Sequence, residues 1–260
     1  MAFLLAGIST EMLVGATFTY LTTDGGGDVD IYPSLADFVA GTNESSNDWG
    51  GGTAMNVMNG IAHDGSTYAG IWDGSTELNY PSQADLIANT NGGTADNGWG
   101  GVASTFFGVA AAGDGTHYVL FDDNGGSNDT LFSYPSSSVF LSQTPLAQRG
   151  SDTLNFNISG FSITGFAHES NSGEFYLLID DAGGDYIVTY SSLDSLKSDT
   201  NPSVDDDTDG HGNITLMAGG PDLANARGFA ATPVPEPSTY AIVSGLLLTF
   251  AIHRRKRPRA

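Results

Sequence analysis

The sequence predicts an all-β protein built from four repeated units, on the basis of three observations. Glycine is frequent, at 35 of 260 residues, and it occurs with many Asn, Asp, Ser and Thr residues, a mixture typical of short strands joined by tight turns. The 14 Phe and 10 Tyr residues are spread along the chain, which favours a packed core over disorder. Four sequence elements also recur in the same order four times.

The first recurring element is a Gly-apolar-Ala tripeptide, found at residues 60–62, 108–110, 165–167 and 228–230. We expect each copy to lie in a strand whose small residues let another backbone approach closely. The second element is an apolar segment that ends in acid and glycine, as in TYAGIWDGS and FYLLIDDAGG. This segment predicts a second strand that turns through a hairpin into a third.

The third element is Tyr-Pro-Ser, found at residues 32–34, 80–82 and 134–136 and degraded to Tyr-Ser-Ser at 190–192. Because proline cannot donate a hydrogen bond to a strand ladder, we expect the third strand to end at this tyrosine. The fourth element is the short amphipathic segment that follows, as in LADFVAGT and QADLIANT, and its length suits one or two helical turns.

The four units together predict a β-propeller-like body over residues 17–232, with a β-sandwich or an open array of β repeats as the alternative. The first unit lacks its own Gly-apolar-Ala strand, and the copy at 228–230 is left over. We therefore expect the last strand to complete the first blade, so that the ring closes without a long exposed edge. The size and number of the units resemble the hemopexin-type four-bladed propeller in architecture.

Charge is distributed very unevenly along the chain. Up to Thr232 there are 29 acidic and three basic residues, a net charge of −26. Such a surface repels phosphates, so we exclude nucleic acids as partners, while cations and above all calcium are attracted. High negative charge also keeps an exported protein soluble. The absence of cysteine excludes disulfides, thiolate zinc sites and cysteine nucleophiles.

The segment 233–260 has three parts. Prolines 233, 235 and 237 set a sharp helix start near Ser238. Residues 238–253 form an apolar run that would be about 24 Å long as a helix, short for a bilayer core of about 30 Å unless arginine side chains extend it. A basic cluster follows, formed by Arg254, Arg255, Lys256 and Arg257, and it would hold the C-terminus on the cytoplasmic side. These features predict a short C-terminal transmembrane helix.

This order of motif, short apolar helix and basic cluster resembles the PEP-CTERM sorting signal of Gram-negative bacteria. Pro235, Glu236 and Pro237 match the motif of that family. The resemblance implies export through an inner-membrane precursor, recognition of the motif by an exosortase, removal of the tail, and delivery to the cell surface or extracellular polysaccharide.

The N-terminal residues 1–16 fit an export signal less well. The run FLLAGI at 3–8 is apolar, but no Lys or Arg precedes it and Glu11 follows closely. We interpret this segment either as a weak signal peptide or as the remainder of one whose start lies upstream.

The best metal candidate is the stretch in which Asp205, Asp207 and Asp209 alternate before Gly210, like the first half of a calcium loop. Leu216 stands where a full EF-hand requires Glu, so the hypothesis is a shorter calcium loop, and a solvated acidic linker is the alternative. Acidic residues also recur at the hairpin tips, where they suit either calcium or ordinary tight turns: Asp24, Asp28, Asp73, Asp123, Asp129, Asp181 and Asp185.

Two further groups are candidate binding residues. Trp49 and Trp99 lie in the related stretches NDWGGG and NGWGGV, where they would stack on sugar rings or pack between blades. The pairs at 63–64 and 168–169 place His beside an acid after two of the first strands. We interpret these pairs as water-facing strand ends, with zinc binding or catalysis as the alternative.

The sequence therefore predicts an exported, non-enzymatic cell-surface or extracellular-matrix protein that binds calcium or a polysaccharide. No nucleophile elbow, phosphate loop or Rossmann fingerprint occurs in it. The alternative is a secreted carbohydrate-active hydrolase that uses carboxylates on the propeller face.

Overall fold

The structure is a computed structural model, and it describes residues 16–22, 28–48, 58–72, 76–95, 106–121, 129–142, 146–156, 161, 163–181, 184–200, 202 and 212–233. The chain divides into two compact units, one formed by Ala16–Pro233 and the other by Met1–Gly15 together with Val234–Ala260. The second unit lies outside the described residues. The unit Ala16–Pro233 is called the body from here on.

Within the described ranges the body forms four antiparallel sheets of four strands each. In sheet 1 the strand order is Ala226–Pro233 (β16), Ala16–Thr22 (β1), Asp28–Tyr32 (β2) and Ser45–Asp48 (β3). In sheet 2 it is Met58–His63 (β4), Tyr68–Trp72 (β5), Thr76–Tyr80 (β6) and Gly93–Ala95 (β7). In sheet 3 it is Phe106–Ala111 (β8), His117–Phe121 (β9), Thr130–Tyr134 (β10) and Gly150–Thr153 (β11). In sheet 4 it is Ile163–His168 (β12), Phe175–Asp181 (β13), Gly184–Tyr190 (β14) and Asn213–Leu216 (β15).

The all-β prediction is confirmed, and so is the order of elements within each unit. Every Gly-apolar-Ala copy lies in the first strand of a sheet, and every third strand ends at the tyrosine of Tyr-Pro-Ser or its degraded copy. The fourth strands were not located from the sequence. They are only three or four residues long, and β7, for example, consists of Gly-Thr-Ala, which has too few residues for a recognisable alternation.

Four short helices follow the third strands, as the sequence predicts. They are Leu35–Ala40 (α1), Gln83–Ala88 (α2), Ser137–Ser142 (α3) and Leu193–Ser198 (α4), each of six residues. Short 3₁₀ turns are present at Leu146–Gln148 and Leu223–Asn225. Among the helices in the described ranges, none has the length and apolar character required to cross a membrane. The predicted transmembrane segment, residues 238–253, lies outside those ranges.

Sheet 1 joins the two ends of the body. Strand β16 pairs with β1 from Ala16 opposite Pro233 to Thr22 opposite Ala226, so the last strand completes the first sheet as predicted. The first strand of each sheet contacts the first strand of the next, in the cyclic order β4, β8, β12, β16 and back to β4. Every first strand therefore has two such neighbours.

Buried side chains fill the contact between each pair of neighbouring sheets, which we call a seam. Ile61 of sheet 2 packs with Val29 of sheet 1, and Val109 of sheet 3 packs with Ile71 of sheet 2. The seam between sheets 3 and 4 contains Leu120 and Phe166, and the seam between sheets 4 and 1 contains Leu178 and Phe229. The core of the body thus consists of four clusters, one in each seam, and no sheet buries its apolar side chains alone.

The glycines of the Gly-apolar-Ala copies explain how the first strands approach each other. A Cβ atom on Gly108 would lie 2.5 Å from the Cβ of Phe166, and one on Gly60 would lie 2.9 Å from the backbone nitrogen of Val109. A Cβ on Gly165 would lie 2.9 Å from the Cβ of Phe229. Val109, Phe166 and Phe229 therefore occupy space that only glycine leaves free on the neighbouring first strand.

A register shift precedes this glycine in each of the four sheets. The pairing slips between residues 58 and 60, between 106 and 108, between 163 and 165, and opposite Leu21 and Thr22 at the corresponding place in β16. Such bulges increase the local twist of a strand. The sequence did not predict them, because their only local sign is the glycine itself.

Candidate functional site

Most of the site residues predicted from the sequence lie outside the described ranges. This applies to the calcium candidates Asp205, Asp207 and Asp209, to Trp49 and Trp99, and to the whole tail 234–260, which includes the sorting motif and the basic cluster. Among the hairpin acids, Asp24, Asp73 and Asp123 are also outside these ranges. Their proposed roles therefore remain predictions.

The hairpin acids that are described serve the fold. Asp129 is completely buried, and its backbone N–H and C=O pair with Phe156 and Leu154 at 3.2 and 2.7 Å. Asp185 accepts a hydrogen bond from the Leu223 N–H at 3.2 Å through Oδ2. Burial raises the pKa of Asp185, and the like charges of Asp180 and Asp222 add to this. Across the described residues no group of three His, Asp or Glu side chains is arranged to hold a metal ion.

The tyrosines, histidines and acidic residues described in the following paragraphs lie at one edge of the sheets. Since the first and third strands run in the same direction, the hairpin after the first strand and the helix after the third lie at the same edge of sheets 2, 3 and 4, and α1 follows the third strand of sheet 1 at the corresponding edge. In sheet 3, for example, Ala111, His117 and Tyr134 are consecutive register partners across three strands. We call this the helix-bearing edge.

Buried tyrosines anchor the helix-bearing edge. Tyr32, Tyr80, Tyr134 and Tyr190 are each at most 2% exposed. The hydroxyl of Tyr190 donates to Asp199 Oδ2 at 2.6 Å, and that of Tyr80 donates to Asn89 Oδ1 at 2.9 Å. Burial raises the pKa of Tyr80 to about 12, so its hydroxyl keeps its proton at physiological pH. The tyrosine of the motif thus ties the end of the third strand to the end of the following helix.

The serine of Tyr-Pro-Ser caps the helix that follows it. Ser34 Oγ accepts a hydrogen bond from the Asp37 N–H at 3.1 Å, and Ser82 does the same for Asp85 at 3.1 Å. Ser192 caps α4 in the same way, by accepting from the Ser195 N–H. An N-cap serine satisfies one of the backbone donors that a helix leaves free in its first turn.

In α1 and α2 an aspartate extends this cap into a network. Asp37 accepts from the Ser34 hydroxyl at 2.5 Å and from Asn43 Nδ2 at 2.7 Å, and Asp85 accepts from Ser82 and from Asn91 Nδ2. The hydrogen bond from the serine, followed by that from the asparagine, holds the pKa of each carboxyl below its usual value. These carboxylates are therefore ionised at neutral pH.

The first hairpins contribute a second set of charged residues at this edge. Asp64 Oδ1 accepts from the backbone N–H groups of Ser66 and Thr67 at 2.9 and 2.8 Å. Its Oδ2 accepts from the Ser137 hydroxyl at 3.0 Å, which links sheet 2 to the helix of sheet 3. Burial raises the pKa of Asp64, but these hydrogen bonds outweigh it and lower the pKa to about 2.

The interpretation of the His-acid pairs as water-facing strand ends is wrong for the second pair. His168 is 8% exposed and Glu169 only 4% exposed. Glu169 accepts hydrogen bonds from the N–H groups of Asn171 and Ser172, and thereby closes its own turn. His63 and Asp64 are half-buried. The error has a physical reason: the neighbouring sheet covers the end of β12, and no local sequence pattern reveals that neighbour.

Sequence reasoning also missed His117. This residue is 0% exposed and stacks on Phe140 of α3, with ring centroids 4.6 Å apart. Its register position in sheet 3 is that of Tyr68 in sheet 2 and Phe175 in sheet 4. The buried aromatic residues at the matching positions in sheets 2 and 4 were the available signal.

Taken together, the described carboxylates of the helix-bearing edge accept hydrogen bonds from turns and helix starts. Among them, Asp37, Asp64 and Asp85 keep their negative charge in fixed positions and so add to the attraction of cations. This negatively charged edge is the candidate site.

Comparison with known proteins assigns no family. No protein-family model matches the chain, and no curated protein matches it. Among solved structures, the chain is similar to one from a crystal structure of a nidogen/laminin complex, with a TM-score of 0.35 and 10% sequence identity. The match covers 67% of this chain and 57% of that chain, so this chain spans little more than half of its length.

Proposed function

We propose that the protein is an exported, non-enzymatic component of the cell surface or extracellular matrix. The observation that carries the proposal is the tail at 233–260, where a Pro-Glu-Pro motif, an apolar run and a basic cluster follow an acidic body. The resemblance to the PEP-CTERM signal supports an inner-membrane precursor that an exosortase-type enzyme of a Gram-negative bacterium processes. The body contains 28 acidic and three basic residues, and its net charge of −25 would keep the released protein away from anionic membranes.

As part of this proposal, the four sheets of the body are the blades of a four-bladed propeller. Two contacts support it: the pairing of β16 with β1, and the cyclic contacts of the first strands. Small-angle X-ray scattering on a chain ending at Pro233 tests the idea. A closed ring of this length predicts a radius of gyration of about 17 Å, and an open array of four units would give a clearly larger value.

The sorting role is tested by changing the motif in the full chain. Substituting Pro235→Ala, Glu236→Ala and Pro237→Ala together is expected to leave the tail attached and the protein in the membrane fraction. The control substitutes the two next residues, Ser238→Ala and Thr239→Ala, and should be released normally. Release of the motif variant at the normal rate would exclude processing at this signal.

A truncated chain that tests the role of the tail must keep the whole of the last strand, β16. Because Pro233 pairs with Ala16 at the end of β16, a chain that stops after Pro233 keeps the sheet complete. We expect this chain to appear in the medium or the periplasm, as judged by fractionation and immunoblotting. Surface attachment equal to that of the full chain would show that the tail does not determine localisation.

We further propose that the body binds calcium, with Asp205, Asp207 and Asp209 as candidate ligands. Support comes from the alternating carboxylates before Gly210 and from the high negative charge, which attracts cations. Isothermal titration with calcium should give a saturable signal that Asp207→Asn weakens by about tenfold or more. The control Asp194→Asn removes the same charge from a 94% exposed side chain and should leave the affinity unchanged. Equal affinities for both variants would reject the site.

A polysaccharide ligand is proposed on the basis of Trp49 and Trp99, whose indole rings would stack on sugars. Titration with host exopolysaccharide should show binding that Trp49→Ala and Trp99→Ala each reduce. The same samples are assayed for newly released reducing ends. Release of reducing ends by the wild-type chain would contradict a non-enzymatic function and favour the hydrolase.

A further inference from the structure

Two buried histidines lie in the seams on either side of sheet 3. His117 faces the seam with sheet 2, where Asp64 contributes the nearby charge, and His168 of sheet 4 reaches across the opposite seam to Ala111. Both belong to the helix-bearing edge. Each seam of sheet 3 thus contains a histidine, the residue type whose charge ordinarily changes between pH 5 and 8.

The hydrogen bonds determine which nitrogen of each ring carries the proton. His117 Nδ1 lies 3.0 Å from the carbonyl oxygen of Gly115, and His168 Nδ1 lies 3.2 Å from that of Ala111. Because a carbonyl oxygen can only accept, Nδ1–H is the donor in both rings. Nε2 of each neutral ring then has a lone pair, and protonation would place a positive charge there.

The surroundings of His117 do not compensate for such a charge. Its Nε2 is buried and forms no hydrogen bond, and one ring face is covered by Phe140 of α3. Asp64 of the β4–β5 hairpin faces it, while Ser137 of α3 is uncharged and already donates to Asp64. Burial lowers the pKa of His117, and the Gly115 carbonyl and the Asp64 charge offset only part of this effect.

The surroundings of His168 are similar on the other side of sheet 3. Phe175 lies 4.4 Å from its ring and Tyr118 of sheet 3 lies 6.3 Å from it, measured between centroids. Glu169 on its own turn and Asp114 on the β8–β9 turn are the acids that face it. Burial again lowers the pKa of the histidine, and the Ala111 carbonyl and the two acids do not cancel this effect.

We infer that mildly acidic surroundings loosen the body at both seams of sheet 3, with His117 and His168 as the proton-sensitive elements. At neutral pH both rings are uncharged, and they fill the seams as aromatic side chains. As the pH falls, a proton binds more readily to a ring that has left its buried position, so opening of the seam becomes more favourable. The carboxylate of Asp64 stays ionised throughout this range, so the change in charge is centred on the histidines.

The sign and size of the effect follow from proton linkage. A histidine whose folded-state pKa lies below the unfolded value of about 6.5 contributes no pH dependence above that value, and stability is lost as the pH falls below it. Between pH 7 and pH 5 the unfolding equilibrium constant rises by at most about 25-fold for each such histidine.

The first test replaces His117 by phenylalanine in the full chain. The matching positions in sheets 2 and 4 hold Tyr68 and Phe175, so an aromatic residue without a titrating nitrogen fits this register position. Urea unfolding is measured at pH 7 and pH 5. We expect His117→Phe to reduce the ratio of the two unfolding constants by up to about 25-fold relative to wild type. An unchanged ratio would overturn the role of His117.

The second test compares His168 with the half-buried His63. His168→Gln keeps an N–H donor for Ala111 and should also reduce the pH dependence. His63→Gln is the comparison: burial lowers the pKa of His63 as well, but its Nδ1 accepts from the Gly65 N–H within its own turn and does not link two sheets. We expect His63→Gln to change the ratio by less than His168→Gln, and a larger change in His63→Gln would contradict the assignment to the seams.

Two direct measurements on wild-type protein do not depend on any variant folding. Imidazole resonances of His117 and His168 followed by NMR should titrate below pH 6.5, and titration at or above that pH would overturn the inference. Hydrogen exchange at pH 5, corrected for intrinsic rates, should increase first in β4, β8 and β12. A uniform increase over all sheets would show that acid acts globally and not at these seams.

Discussion

At the seams, a glycine of one first strand lies against the next first strand, whereas at the helix-bearing edge most of the polar hydrogen bonds described above stay within one sheet. The bonds between Asp64 and Ser137 and between His168 and Ala111, which join two sheets, are exceptions. The Gly108 contact with Phe166 joins residues of two different repeats. The hydrogen bonds between Ser82 and Asp85, or between Tyr80 and Asn89, stay within one repeat. The body therefore combines apolar, long-range packing near its centre with polar, local bonding at its edge.

This difference predicts how much of the body a destabilising substitution affects. A defect in a seam affects two sheets at once, since neither buries its apolar residues alone. A defect in a helix cap affects one short helix whose contacts are mostly with its own sheet. We expect stability losses to decrease from the seams to the caps, and the following variants test this order.

The largest effect is expected for Gly108→Val. Its Cβ would lie 2.5 Å from the Phe166 Cβ and 2.9 Å from the Phe166 backbone nitrogen, which cannot move without shifting β12. We expect a loss of about 3 kcal/mol or more in the free energy of unfolding, measured with urea. The control is Gly93→Ala in β7, where the nearest atom would be 4.0 Å away and the change should stay within about 0.5 kcal/mol. Similar losses for both would mean that the seams are not tightly packed.

The next largest loss of stability is expected for Tyr190→Phe, and Tyr32→Phe is its comparison. Both tyrosines occupy the first position of Tyr-Pro-Ser or of its degraded copy. The Tyr190 hydroxyl donates to Asp199, which is 5% exposed, whereas the Tyr32 hydroxyl donates at 2.7 Å to Glu44, which is exposed. Because a buried carboxylate loses more when a donor is removed, we expect Tyr190→Phe to cost about 2 kcal/mol and Tyr32→Phe less than about 1 kcal/mol. Thermal and urea unfolding of both variants measure the difference. The reverse order would show that burial of the acceptor does not decide the cost.

A smaller effect is expected at the helix starts. Ser82→Ala removes the N-cap hydrogen bond of α2 together with the Asp85 contact, and should cost about 1 kcal/mol. Ser136→Ala is the matched variant in α3, where the bond to the Val139 N–H is longer, at 3.3 Å. We expect a smaller loss there, as measured by the urea midpoint. Equal losses would show that the aspartate adds nothing to the cap.

The smallest effect concerns the pH dependence of the same cap. Hydrogen bonds from Ser82 and then Asn91 lower the pKa of Asp85, so its contribution is present above the unfolded value of about 3.9 and is lost as the pH falls through the folded value. Asp85→Asn should therefore flatten the fall of stability below pH 4 slightly. The control Asp194→Asn should not alter the curve, and a steeper fall in Asp85→Asn would contradict the assigned sign.

Much of the repeated unit could be predicted from the sequence because its signals are local. Tyr-Pro-Ser specifies the end of a strand and the start of a helix within three residues, and the spacing of Ser82 and Asp85 is a recognisable capping pattern. The helical length follows from the sequence, whereas the role of the serine as the cap was not predicted. The fourth strands were missed because a segment of three or four residues is too short to show the alternation of apolar and polar residues that identifies a strand.

The seams could not be predicted to the same degree. His117, His168 and Glu169 are polar residues in hairpin regions, and their sequence context is that of exposed turns. They are buried because a neighbouring sheet covers them, and that sheet comes from another repeat some 50 residues away. Only the glycine of each Gly-apolar-Ala copy gave a local sign of close approach.

The sequence by itself determined the all-β class, the order of strands and helices in each repeat, and the pairing of the last strand with the first, since turns, caps and a leftover strand are properties of the chain. Tertiary structure alone decided which side chains meet across the seams and which acids and histidines are buried. Burial depends on the element that covers a residue, and hydrogen-bond partners decide whether a buried charge is tolerated. Asp64 stays ionised because the N–H groups of Thr67 and Ser66 and the Ser66 hydroxyl in its own turn, and then Ser137 of the next sheet, donate to it, whereas burial keeps His117 neutral.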